Sequence, residues 1–285
     1  MKKLLLIALC AGCGAAWAQT PAANPMPDGS RDMYAGLGVQ SAPRYAGASG
    51  RRLAALPVLQ VEWSNGVFVS GMSAGIHLSS APTVEFGPLL TVLPGRDEAG
   101  SGRGMDGVGI TEAFNAASEP VEKNLLASRA RLDGLDHIGL RVQAGGFANL
   151  YLTPRWRLGA SLLGGSGRER DGARLELGVQ RLAAPFGERH RVSLSAGVTV
   201  VNRHDNQSYF GVSREEAARS RFAAYDAGGG LRDAHLGARW NWTLHPSWML
   251  TSNLQAQRLL GSANRSPLAE RSTNLTVSTA IAYRF

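Results

Sequence analysis

Three short runs in this 285-residue chain have residue types and spacings that invite a chemical reading. His77-Leu78-Ser79 sets a base and a hydroxyl two positions apart, so on an extended strand they share a face. A serine nucleophile needs such a base, and the base needs a third group to orient it. No carboxylate can be assigned to that role from the sequence, and the plain reading is a lumen or turn histidine beside a turn serine. His204-Asp205-Asn206 could hold a cation at a loop tip, although such runs are far more often solvated turn chemistry. Gly164-Gly165-Ser166-Gly167 lacks the Gly-Lys-Ser/Thr ending of a phosphate loop. His137, His190, His204, His235 and His245 have no i,i+4 or cysteine partner, so no zinc site is signalled. No cofactor is expected.

Both cysteines, Cys10 and Cys13, fall in a leader-like start. Lys2 and Lys3 form a positive end, Leu4 to Ala11 an apolar run, and Ala16-Trp17-Ala18 an A-x-A cleavage site. The run is too short to cross a bilayer as a helix. Residues 1–18 are therefore expected to be an export signal, and 19–31 a Pro- and Ala-containing flexible lead-in. Cys10-Ala11-Gly12-Cys13 offers the rival reading of a lipoprotein box. The formal charge is +8, two units of it on Lys2 and Lys3, and the remainder is carried almost wholly by scattered arginines. No basic cluster interleaved with aromatics is present, so nucleic acid is not an expected partner.

The elements that must position any site read as strands. From Leu231 to Leu244, Ala234, Leu236, Ala238, Trp240, Trp242 and Leu244 alternate with Asp233, His235, Arg239, Asn241 and Thr243. Val192, Leu194, Ala196, Val198 and Val200 alternate in the same way with polar or small residues. Ile281, Tyr283 and Phe285 share one face at the end of the sequence. Alternation does not by itself say where the apolar face points. Export, Trp63, Trp156, Trp240, Trp242, Trp248 and Tyr283 near strand ends, and the final aromatic favour a membrane barrel, with the apolar face on lipid. Short connections (64–66, 153–155, 185–188, 245–247) alternate with long ones (41–54, 164–172, 202–230, 261–272), as short periplasmic turns and long outer loops do. Arg141, Arg155, Arg157, Arg191, Asp233, Arg239 and Arg284 are then expected to line the lumen and, in a barrel this small, to fill it.

The expected fold is thus all-β: a closed antiparallel transmembrane barrel over residues 32–285, in the outer membrane. Eleven runs read directly as strands, and barrels of this type have even counts. The stretch Val67 to Ser80 must turn back on itself, at Ser73-Ala74-Gly75 on this reading, giving twelve strands with ten as the alternative. In the 203–230 loop, Ser213-Arg214-Glu215-Glu216 fits a capping box and predicts a short helix from Arg214 to Phe222. That loop reads either as a lid over the lumen mouth or as a self-packed loop anchored by Tyr209, Phe210 and Tyr225.

With these residues in place, the chain resembles the MipA/OmpV family of outer-membrane proteins. The resemblance starts at Gly36-Leu37-Gly38 and Pro43-Arg44-Tyr45-Ala46-Gly47 and continues through Trp63-Ser64-Asn65-Gly66 and Phe86-Gly87-Pro88. Its most specific block is Tyr209-Phe210-Gly211-Val212, then Ala217 to Ser220, then Tyr225 to Leu231 with Gly229 inside it. Arg258 to Gly261, Ser266-Pro267 and Tyr283-Arg284-Phe285 complete it, while 98–121 departs from the family's shorter loop. The resemblance implies a non-enzymatic scaffold that brings a membrane-bound murein hydrolase and a peptidoglycan synthase together. Apart from the family, the alternating end with its final aromatic, Ile281, Tyr283 and Phe285, resembles the signal read by the barrel-assembly machinery, and a membrane barrel implies contact with outer-membrane lipid. The other function classes weighed are a narrow channel or binding barrel for small solutes and, through His77 and Ser79, a hydrolase modifying lipid A.

Overall fold

The computed structural model describes residues 31–79, 81, 83–98, 100–101, 131–165, 172–185 and 188–285. The expected signal peptide, the lead-in before Arg31, residues 102–130 with most of the divergent 98–121 stretch, the 166–171 loop tip and the middle of the 185–188 turn lie outside those residues. The strands are β1 (Arg31–Pro43), β2 (Arg51–Glu62), β3 (Val67–Ser70), β4 (Ser73–Ile76), β5 (Val84–Leu93), β6 (Arg96–Asp97) and β7 (Gly100–Ser101). They continue with β8 (Arg141–Thr153), β9 (Trp156–Gly165), β10 (Ala173–Pro185), β11 (His190–Val201), β12 (Gly230–His245), β13 (Trp248–Leu259) and β14 (Thr273–Arg284). The helices are α1 (Arg203–Phe210), α2 (Arg214–Arg219) and α3 (Gly261–Asn264). None is long and apolar enough to cross a membrane.

All strands but β6 and β7 join in one closed barrel of twelve. Every pair is antiparallel and the barrel strands follow one another in chain order, β5 pairing with β8 past the separate β6–β7 ribbon; β1 closes the circle against β14, with Tyr34 opposite Arg284 and Ser41 opposite Val277. Closure removes the edges that lipid would leave without hydrogen bonds.

The twelfth strand comes from the expected reversal, but its position differs. The chain turns at Gly71 and Met72, and β3 pairs with β4 from Ser70↔Ser73 to Val67↔Ile76. Gly71 has φ +54°, the left-handed region that glycine enters most cheaply. Gly75, which suggested a turn, lies inside β4, and a Cβ there would sit 2.6 Å from the Phe68 ring. Its small size serves a close approach, which is the other meaning of a glycine within a strand. The first long connection is also shorter than expected, because β1 runs on to Pro43 and β2 starts at Arg51.

Which face points where is settled by burial. Leu37 and Leu236 are 66% and 63% exposed, whereas Gln143 and Asp233 are 0% exposed. Leu53, Phe86, Val142, Leu162, Leu194, Leu254, Val277 and Ile281 share the outside, and Asn149, Arg157, Ser161, Thr199 and Thr276 the inside. This inverts a water-soluble barrel and matches what lipid requires. Arg141, Arg157 and Asp233 point inward as expected, and Arg239 and Arg284 are half-buried. Arg155 and Arg191 correct the expectation: both are exposed, because each lies beside a short turn, where water is within reach. Trp63, Trp156, Trp248 and Tyr283 are exposed at that same short-turn rim, and Trp248 meets Tyr283 edge-on at 5.1 Å. Trp240 and Trp242 stack beside His190 on strands that end there. The aromatic belt is thus at one rim.

Gly87 on β5 marks a second close approach. A Cβ there would fall 1.7 Å from the carbonyl oxygen of Ile76, a backbone atom that cannot turn aside. Gly87→Ala should cost about 1–3 kcal/mol through overpacking, seen as a lower urea midpoint for loss of the folded band on unboiled gels. Gly164→Ala, which meets nothing within 4 Å, should leave that midpoint unchanged.

Candidate functional site

At the long-loop end the connections fold over the lumen and are stitched to one another. After β11, the Asn202 side chain accepts a hydrogen bond from the Asp205 backbone at 2.9 Å and starts α1. Two turns later the Gly211 N–H closes on the Gln207 carbonyl at 2.9 Å. Ser213 then opens α2 with the expected capping box: its hydroxyl accepts from Glu216 N–H at 3.1 Å, and the Glu216 carboxylate accepts from Ser213 N–H at 2.8 Å. The helix stops at Arg219 rather than Phe222, because Ser220 is extended and its N–H caps the Glu216 carbonyl. Val212 and Tyr225 then exchange backbone hydrogen bonds at 2.9 Å and pin the loop into a closed ring.

The family-motif residues are brought together here as cement. Tyr209 offers its carbonyl to Arg96 at 2.6 Å, and its ring lies 5.0 Å from the Arg141 guanidinium carbon. Phe210 packs with Ala227, Leu259 and Ala263, and its carbonyl accepts from the Ser266 hydroxyl at 2.6 Å. The Tyr225 hydroxyl donates to the Ser262 carbonyl at 2.8 Å. Gly229 rests against the backbone of Asn202 and Arg203, and Pro267, half-buried, precedes the fully buried Leu268. Ile281, Tyr283 and Phe285 are not part of this group: they lie exposed at the opposite end or on the lipid face.

The largest group was not legible as a site in the sequence. A bulge in β12 leaves Arg232 without a partner residue between the pairs Thr199↔Asp233 and Val200↔Leu231, so both charges of Arg232-Asp233 turn inward. Arg232 donates through Nη1 to Asp205 at 3.0 Å and through Nε to Asp233 at 2.9 Å. Thr199 donates to Asp233 at 3.0 Å, and His235 Nδ1 lies 3.4 Å from it. Arg174 and Glu176 on β10 form a looser pair at 3.6 Å. Asp205 and Asn206 are 0% and 1% exposed, so although His204 reaches solvent the Asp205-Asn206 pair is not a solvated turn. It is the buried foot of α1, and Asn206 also donates to Gly228 and Ser262. The signal that could have exposed this foot was Arg232-Asp233, two adjacent charges that break the alternation of their strand.

The other loops join the same cap. Asn274 accepts from Gly47 N–H at 2.6 Å and donates to the Ala48 carbonyl at 2.9 Å. The Glu216 carboxylate accepts from Asp136 N–H at 2.9 Å, and Arg219 pairs with Asp136. Tyr45 donates to Glu270 at 3.0 Å, and Ser49 and Arg131 hold the same carboxylate. Burial and the Glu270 charge push the Tyr45 hydroxyl up to about 12 against the pull of Arg131. Partial burial would raise Glu270, but the Ser49 and Tyr45 hydrogen bonds and the Arg131 charge outweigh it and hold its carboxyl below the usual carboxylate range. A depressed carboxylate pKa stabilises the folded form above the unfolded value and loses that contribution as pH falls through the folded one. Acidification below the ordinary carboxylate range should therefore loosen the 44–50 loop before the barrel. Faster amide exchange at Gly47 and Ala48, with strand amides still protected, is the expected result, and Glu270→Gln should abolish the pH dependence.

The two residues weighed as a base and a hydroxyl make different local contacts. His77 follows β4 and lies edge-on to Phe68 and Phe147 at 4.8 and 5.3 Å, while the Ser79 hydroxyl accepts from Ala81 N–H at 3.0 Å. Among the described residues, no group of three or more His, Cys, Asp or Glu could hold a metal ion.

A closed antiparallel barrel with an apolar exterior, a polar interior and a loop cap defines the class. Within it, the profile of the family described as "MltA-interacting protein MipA" matches residues 35–285, and the chain belongs to that family. No curated protein matches the chain. Among solved structures it is similar to an outer-membrane channel from Pseudomonas putida F1, at 12% identity over 96% of this chain and 99% of that one, TM-score 0.37. It is similar also to the Pseudomonas putida toluene transporter TodX, at 11% identity over 92% and 91%, TM-score 0.34. A third similarity is to the N-terminal barrel domain of Pseudomonas aeruginosa OprF, at 15% identity over 51% and 88%, TM-score 0.24. Likenesses of this size carry no functional argument.

Proposed function

We propose that this protein is a non-enzymatic outer-membrane barrel with a sealed lumen, acting as a scaffold that holds a membrane-bound murein hydrolase and a peptidoglycan synthase near each other. The observation that carries the reading is the stitched cap: α1 is tied to the barrel wall by a buried arginine between two aspartates. A passage for solutes has little use for such a fixture. Beneath it Gln143 and Asn149 on β8, Arg157 on β9, Gln60 on β2 and Thr199 on β11 are all buried, so polar side chains from several parts of the wall turn into the interior. The family's printed description names an interaction with MltA, and the exposed turns of the aromatic rim, Pro154 and Arg155 among them, are the surface that would face such a partner.

Two measurements test this. In planar bilayers the folded protein should give no steady open-pore current; a stable conductance would replace the sealed scaffold with a narrow channel. Extracts in mild detergent should yield a murein hydrolase with the tagged barrel, and absence of both enzymes after chemical cross-linking in whole cells would remove the scaffold role.

A further inference from the structure

The lipid-facing wall is not evenly convex. Across β10 to β13 a concavity of about 700 Å³ opens on the outside, within the ~300–1,000 Å³ range of small-molecule sites. Ala196, Leu236 and Ala256 lie side by side on three strands, and Val198, Ala234 and Arg258 in the next row. Ala196, Ala234 and Ala256, small side chains set among Val198 and Leu236 with Leu194 and Leu254 in the next row, make the hollow, and its surface is almost wholly apolar. Arg258 is exposed at its rim, and among the described residues no carboxylate or hydrogen bond reaches its guanidinium.

A second hollow of about 480 Å³ lies three strand residues further along β12, at Leu231, on the long-loop side. Three residues of strand are about 10 Å. This hollow is edged by Ser262 and by Arg265, also exposed. Its one acid, Asp226, lies 3.6 Å from Arg203 and is balanced by it. The wall therefore offers an apolar trough with one free cation at its mouth and another one step beyond. The opposite rim, by contrast, carries the exposed tryptophans.

We propose that this trough binds the phosphorylated glycolipid of the outer leaflet, lipid A, with an acyl chain over Ala196, Ala234 and Ala256 and a phosphate on each of Arg258 and Arg265. An arginine on a lipid face is costly at the midplane and nearly free at the interface, so Arg258 belongs at headgroup level. There a guanidinium binds phosphate through paired hydrogen bonds. Phosphatidylglycerol or phosphatidylethanolamine brings one phosphate and leaves one of the two arginines unsatisfied, whereas diphosphorylated lipid A matches both. The proposal rests on the outer-membrane placement given above, but not on the sealed lumen or on the murein partners.

The test uses the full-length protein, purified in mild detergent and incubated separately with diphosphoryl lipid A, monophosphoryl lipid A and phosphatidylglycerol, with retained lipid counted by native mass spectrometry. Wild type should retain diphosphoryl lipid A best. Arg258→Ala with Arg265→Ala should lower retention at least about tenfold, the loss expected from one charge-assisted hydrogen-bonding group, with the unboiled gel band unchanged. Equal retention by wild type and the double variant, or retention of phosphatidylglycerol as strong as that of lipid A, overturns the site. Recovery of the chain with the inner membrane would overturn the placement, whereas recovery with the outer membrane and equal lipid retention overturns the lipid site alone.

Discussion

Replacing Arg232 with alanine should cost the barrel about 3–5 kcal/mol, the usual loss when one member of a buried ion pair is removed and its partners are left uncompensated. The guanidinium lies between Asp205 and Asp233, with side-chain exposures of 0% and 1%. Without it, two carboxylates face each other in a space that excludes water. The cheapest relief is for α1 to lift out and hydrate Asp205, since Asp233 is fixed in the wall. The loss should therefore appear first as ion conductance in planar bilayers and only at higher urea as loss of the folded band. Asp205→Asn keeps the shape and removes one charge, so it should cost less and open the barrel less. A silent Arg232→Ala barrel with wild-type stability would show that this triad does not hold the cap.

Leu194→Arg should cost about 2–4 kcal/mol, the penalty for a cation near the middle of the lipid face. Leu194 is exposed on β11 between Ala238 and Arg181; Arg181, also exposed, stands beside Trp156 at the rim, so a new arginine one strand further in meets a like charge as well as lipid. Ser195→Arg, one residue along and directed to the half-buried interior, should cost clearly less. The measurement is the fraction of protein that runs as folded barrel without boiling, after refolding into vesicles. Equal losses for the two variants would mean that lipid does not wet the face carrying Leu194.

That facing was legible in the sequence because a period of two needs only side-chain polarity to be read. Leu194 and Leu236 fell outside, and Arg141, Arg157 and Asp233 inside, once the leader and the aromatics at strand ends had turned the alternation into that of a membrane barrel. The expectation failed where polarity and environment part company. Arg155 and Arg191 follow the inward pattern, yet they stand beside turns, where either direction reaches water. Gly75 looked like a turn because a glycine's reason for being small is invisible until Phe68 is placed over it. The capping box of α2 was readable because Ser213 and Glu216 satisfy each other locally. α1 was not, because Arg203 to Phe210 has no apolar stripe; its Asp205 and Asn206 are buried against polar partners on β12 and in other loops. Such partnerships join residues far apart in the chain, and no local pattern announces them. The cap's motif residues stood out as a block before it was clear that they bind mainly to one another.

The pairing of β1 with β14 also has a kinetic meaning. Every other pairing joins strands that follow one another in the wall, β5 and β8 across β6 and β7 being the widest gap, yet the last one brings Tyr34 to Arg284 and must wait for the whole polypeptide. Long-range pairings of this kind are slow to form and leave intermediates prone to aggregate. Until that final seam zips, the growing ribbon carries two raw margins that would glue to any other strand they met. A chain released a dozen residues early would never lose them, so truncation before β14 should yield insoluble material rather than a smaller cylinder.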